Sequence, residues 1–147
     1  MSTFFQALLS GAFFTFLLDF FFFLGLKKNY IDFFEIDEYY NIFFFDHQNL
    51  PIFLGMTLLL GFITIYVRIN LIRLPFMALL FIGVFSLMLQ PVGYRVGEFL
   101  FMKKDVVLKN KKFTFRGDIR YQNRGRIIFY DYDLKKQIIL ETKELIK

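Results

Sequence analysis

From Phe4 to Leu26 the chain runs FFQALLSGAFFTFLLDFFFFLGL, and a segment of this kind has few ways to fold. At ~1.5 Å rise per residue, a helix of that length covers the ~30 Å hydrocarbon core of a bilayer. Its only ionisable side chain is Asp19, and Lys27 and Lys28 mark the end of the apolar run. Ala7, Gly11, Thr15 and Asp19 recur at every fourth position and so share one helical face. Phenylalanine and leucine fill the other faces, which suit lipid. The stripe predicts close packing against a second helix. The segment lacks a basic leading region and an A-x-A-like cleavage site, and its apolar run is too long for a signal peptide; it reads as a retained span.

The rest of the composition agrees with a membrane protein. Of 147 residues 24 are Phe, and the apolar fraction is 56%, above the roughly 45–50% of soluble domains. The absence of Cys excludes disulfides, thiolate metal sites and cysteine nucleophiles, and the lone His47 excludes a multi-histidine metal or haem site within this chain. The abundance of Phe, Tyr, Ile, Lys and Asn fits an AT-rich genome, and with it a bacterial or mitochondrial inner membrane. Charge is unevenly shared. Residues 1–102 carry five basic and seven acidic side chains; residues 103–147 carry thirteen and six. A boundary between a membrane region, 1–102, and a basic tail, 103–147, is expected there.

Residues 29–49 mix aromatics with Asp32, Glu35, Asp37, Glu38 and Asp46. The acids at 32, 35 and 38 fall at helical spacing, so an interfacial segment with a solvated acidic face is expected. The spacing matches no metal loop. Pro51 then opens a second span, 51–67, with Thr57, Gly61 and Thr64 on one packing face. Arg68 and Arg73 bracket the turn of a helical hairpin and anchor it among headgroups. The third span, 75–102, has two readings: a helix ending at Gln90, or, preferred, one kinked at Pro91 that continues to Met102. Gly93 and Gly97 give it a GxxxG spacing beside Arg95 and Glu98.

Beyond Met102 the period changes to two. Alternation predicts strands over 113–121, 126–132 and 137–141, with a short one at 106–108. So small a sheet is marginal alone and needs a surface to cover its apolar face. The fold class expected is therefore membrane all-α, with three transmembrane helices (spans about 4–26, 51–67 and 75–102), followed by a small antiparallel β-rich extramembrane tail.

Basic residues set the orientation. Lys27, Lys28, Lys103, Lys104, Lys109, Lys111, Lys112, Arg116 and Arg120 would lie on one side and only Arg68 and Arg73 on the other. The tail is expected in the cytosol or matrix, its basic residues facing anionic headgroups or a partner. The same residues interleave with aromatics, but membrane tethering explains them without nucleic acid.

No catalytic signature is present. There is no HExxH, G-x-S-x-G, P-loop or dinucleotide fingerprint, and three serines with one histidine give no triad. No cofactor or metal is expected. The reading is a non-catalytic accessory subunit of a larger membrane complex, its partners being lipid and other membrane subunits. Two alternatives stand beside it: a subunit lending Asp19 to a proton or cation pathway, and an adaptor that docks a partner through its basic tail. Depths counted from Lys27 and Lys103 also suggest an Asp19–Arg95 ion pair, with Glu98 as the competitor for Arg95.

Overall fold

The computed structural model describes residues 2–110 and 113–146. The chain opens with α1, Thr3–Leu26, whose first turn is capped by the Ser2 hydroxyl accepting from the Phe5 amide at 3.4 Å. It continues without interruption into one wider π turn, Lys27–Ile31. The whole rod, Thr3–Ile31, is 29 residues, and among the described residues it is the one unbroken helix long and apolar enough to cross a membrane.

The other helices come as bent pairs. α2, Tyr40–His47, meets α3, Leu50–Tyr66, at 84°; α4, Asn70–Ser86, meets α5, Gln90–Phe101, at 85°. By length and composition the chain thus has one membrane crossing, or up to three if each bent pair forms one.

The break in the third span falls earlier than a stop at Gln90 or a kink at Pro91, and the helix resumes to Phe101. The helix stops at Ser86 and the chain turns through residues 87–89, before Pro91 is reached. Pro91 sits in the first turn of α5, where a missing N–H leaves no bond unmade. The corner is held from outside: Asn29 donates its side-chain amide to the Leu87 carbonyl at 2.7 Å. Gly93 lies so close that an added Cβ would overlap that carbonyl and the Asn29 side chain.

α1 and α3 run antiparallel in backbone contact. A Cβ at Gly11 would overlap the Thr57 carbonyl, and one at Gly61 would overlap the Ala7 carbonyl. Such contact requires small residues on both helices, because lipid-soluble helices associate through dispersion at short range. α4 lies on another side of α1, with Phe81 edge-on to Phe14 and Phe85 against Phe21. No residue of α4 is buried.

The tail is an antiparallel sheet of four strands with a two-residue edge strand. These are β1 Lys103–Asn110, β2 Thr114–Gln122, β3 Arg126–Asp131, β4 Lys136–Glu141 and β5 Leu145–Ile146, in the order β4-β3-β2-β1-β5. β1 is longer than the short strand expected at 106–108. Register shifts between Lys103 and Val106 and between Ile119 and Tyr121 bend it.

The alternation along β3 divides the apolar residues. Ile127 and Phe129 join Ile119 and Leu140 in the sheet's own core, which Val106, Leu108, Phe115, Ile138 and Leu145 border. Ile128 and Tyr121 belong to a second core with Phe23, Leu26, Tyr30, Ile31, Phe43 and Phe44. The surface that the sheet needs is therefore the end of α1 together with α2.

A polar-ended cavity between α1, α3 and α4

Asp19 is one turn beyond the small-residue stripe, where α1 passes the α2–α3 corner. There Gln48 donates its side-chain amide to Asp19 Oδ2 at 2.9 Å. His47, the last residue of α2, has Nδ1 3.0 Å from the Phe43 carbonyl. A carbonyl only accepts, so Nδ1 carries the hydrogen. Asn49 caps α3, its Oδ1 accepting from the Ile52 amide at 3.2 Å.

These four polar residues border one end of a cavity of about 550 Å³. Phe22, Phe53, Met56, Leu80 and Val84 line much of the remainder. The volume lies within the ~300–1,000 Å³ usual for small-molecule sites, and a mostly apolar wall with a few polar groups is their usual character. The sequence reading singled out Asp19 but neither Gln48 nor His47. Nothing in the spacing of residues 29 apart signals that contact.

The packing residues fall into two places. Ala7, Gly11 and Thr15 lie buried against Thr57 and Gly61. The hydroxyls of Thr15, Thr57 and Thr64 are buried with no hydrogen-bond partner among the described residues. Gly93 and Gly97 instead seat α5 on the π turn, Gly97 against the Tyr30 ring.

The charged candidates are not brought together as expected. Asp19 bonds Gln48, Arg95 is exposed, and Glu98 pairs with Lys104. The Asp19–Arg95 pair is not formed, because the right-angle turn before α5 removes the equal depths that the inference assumed. The Glu98 carboxylate holds the exposed Lys104 ammonium above its usual pKa.

The tail's basic residues are likewise partly engaged within the fold. The Arg120 guanidinium lies between the Phe34 and Tyr130 rings, 4.4 and 4.5 Å from their centroids, and donates to Gln137 at 2.7 Å. Arg116 pairs with Asp105 at 3.0 Å. Lys103 and Lys109 are exposed, and Lys111 and Lys112 lie outside the described residues. At the hairpin, Arg73 donates to the Thr64 carbonyl at 3.2 Å and to Asn70 at 2.7 Å, closing the end of α3.

The acidic segment 29–49 is less solvated than expected. Glu38 is buried and accepts from Asn123 at 2.9 Å, while Asp46 pairs with Arg124 at 2.8 Å. Among the described residues no group of three or more His, Asp or Glu side chains is placed to hold a metal ion.

No protein-family model, curated protein or solved structure matches this chain at a significant level.

Proposed function

We propose that the protein is a small integral membrane subunit that crosses the bilayer three times and has no catalysis of its own. The observation that carries this is α4: 17 consecutive helical residues, mostly apolar, with none buried. Leu71, Ile72, Leu74, Leu79, Ile82 and Phe85 are all exposed, as are Leu54, Leu58 and Phe62 of α3 and Phe5, Leu9 and Phe13 of α1. A continuous apolar belt of this extent needs lipid or another apolar chain over it. In this reading α1, α3 and α4 cross, and α2 and α5 lie along the interface with Ile42, Phe45, Phe99 and Leu100 turned to lipid. The basic sheet sits in the cytosol or matrix, and the open flank of α4 receives a neighbouring subunit.

The test exploits the absence of cysteine. Single variants Arg68→Cys and Asp133→Cys are treated in intact cells with a membrane-impermeant maleimide. Labelling of position 68 alone is expected, with position 133 reacting only after lysis. The reverse pattern overturns the orientation, and reaction of both before lysis overturns the crossing number. Disulfide trapping from Leu79→Cys, followed by mass spectrometry of the adduct, tests the subunit reading. A homogeneous chain with no adduct counts against it.

The attachment of the sheet to α1 weighs against a freely tethered adaptor. The ion-pathway alternative would require further intramembrane acids or bases, which a partner would have to supply.

A further inference from the structure

We propose that the cavity between α1, α3 and α4 binds an amphipathic molecule with a protonated amine at its head and a single hydrocarbon tail. The polar residues on the lining decide the head group. Asp19 Oδ2 takes the Gln48 amide hydrogen, and among the described residues no hydrogen bond reaches Oδ1. His47 gives its Nδ1 hydrogen to the Phe43 carbonyl. The Asn49 side-chain oxygen is committed to capping α3. Asp19 and His47 are the titratable groups on the lining, and no Lys or Arg is among the lining residues. The charge at that end is the Asp19 carboxylate, set beside the amides of Gln48 and Asn49. A ligand head that complements the carboxylate donates hydrogen bonds to it and carries positive charge.

An acid head would meet the Asp19 carboxylate with no lysine or arginine on the lining to offset it. An alcohol would bond, but without the charge assistance that roughly doubles such a contact. Phe22, Phe23 and Phe53 also line the cavity, and an aromatic ring attracts an ammonium through its face and not a carboxylate. The apolar part of the lining specifies the tail. Met56, Leu80 and Val84 present no polar side-chain group beyond the methionine sulfur, and Met is the side chain that best accommodates variable apolar shapes. Exposed Ile52 and Leu100 stand at the margin, which gives the tail an apolar way in. This ligand assignment rests on the cavity and not on the number of membrane crossings.

The test uses the full chain in digitonin, a detergent whose bulky hydrophobe does not mimic a straight tail. With Met56→Cys as reporter, N-ethylmaleimide alkylation is timed against dodecylamine, dodecanol and dodecanoate. Saturable protection by dodecylamine is expected at concentrations about tenfold or more below those of dodecanoate, the discrimination that a charge-assisted contact gives. Asp19→Asn in the same background should abolish the preference and keep the protection by dodecanol, which shows the cavity intact.

Gln48→Glu adds a second carboxylate and should widen the preference; it serves also if the Asp19 variant fails to fold. Dodecylamine should raise the melting temperature of the unaltered chain, and dodecanoate should not. Equal protection by all three probes would reduce the cavity to an unselective groove for tails and overturn the proposal. So would a complete lack of protection, or a preference that survives Asp19→Asn. None of these results bears on the maleimide topology test, so the two readings fail separately.

Discussion

The Tyr30 hydroxyl donates to the Arg120 backbone carbonyl at 2.7 Å, joining positions 90 apart in sequence. The ring itself is wholly buried, packed against Gly97 of α5 and beside the Phe34 and Phe101 rings. One side chain thus touches the end of α1, α5 and the central strand of the sheet. Its position in the π turn puts it there, because the wider turn carries α1 past its regular spacing.

Removing only the hydroxyl, Tyr30→Phe, leaves the Arg120 carbonyl short of a donor and should cost ~1 kcal/mol. Tyr30→Ala also opens a cavity and should cost ~3–5 kcal/mol. Thermal unfolding in detergent measures both. Trypsin should then cut after Lys103 or Lys104 in the alanine variant well below its melting temperature. Wild-type protease resistance in that variant would mean that the sheet is held by other contacts.

The glycines of α3 give a matched comparison. Gly61 faces the Ala7 carbonyl, whereas nothing lies within 4 Å of a Cβ built at Gly55. Gly61→Ala must push α1 and α3 apart, at ~1–3 kcal/mol. Gly55→Ala should stabilise by up to ~1 kcal/mol through helix propensity alone. The order of the two melting temperatures decides it, and equal values would be incompatible with the backbone contact described.

Tyr121 is buried, and its hydroxyl has no partner among the described residues. Burial first, and then the Glu38 and Asp46 carboxylates, push its pKa up. A raised pKa means that the folded state holds the proton more tightly. The associated stability is fully present below the ordinary tyrosine value of ~10 and is lost as pH rises past it toward the folded value. Tyr121→Phe should therefore be neutral or stabilising by ~1 kcal/mol at pH 8, since an unsatisfied polar group is removed. The melting temperature of the variant should fall less between pH 8 and pH 10.5. A steeper alkaline fall in the variant would contradict the account.

Arg120 tests shape against charge. Arg120→Lys keeps the charge but loses the flat guanidinium that fits between Phe34 and Tyr130 and reaches Gln137. A loss of ~1–2 kcal/mol is expected from the contacts forfeited. If headgroup attraction were its main role, lysine would serve equally and vesicle binding would be unchanged with no loss of stability.

What could be read in advance was whatever repeats locally. The length of α1 follows from an apolar run with charges at its end, and three of the main strands follow from period-two alternation over 113–141. The two corners were hidden because they are made by distant residues. Leu87-Met-Leu contains no breaker; Asn29, 58 positions away, takes its carbonyl. Pro91 was legible in another sense. The rule that placed Pro51 at a helix start applies equally to Pro91, and applied there it begins α5 at Gln90. Asp19 stood out as a lone acid among phenylalanines, but its partner Gln48 and the cavity beside them exist only once α3 has turned back along α1. Glu38 looked solvated for the same reason, since Asn123 reaches it from the sheet.

The core that joins Phe23, Tyr30 and Phe43 to Tyr121 and Ile128 has a bearing on biogenesis. Its first member, Phe23, leaves the ribosome 105 residues before its last, Ile128, at ~5–20 residues per second. For several seconds, then, the π turn and α2 present aromatic surface with no strand to cover it. A ribosome stalled near position 110 would display that surface for as long as the stall lasted, so arrested chains of this protein should be recognised by chaperones and proteases at the membrane surface, whereas completed ones escape.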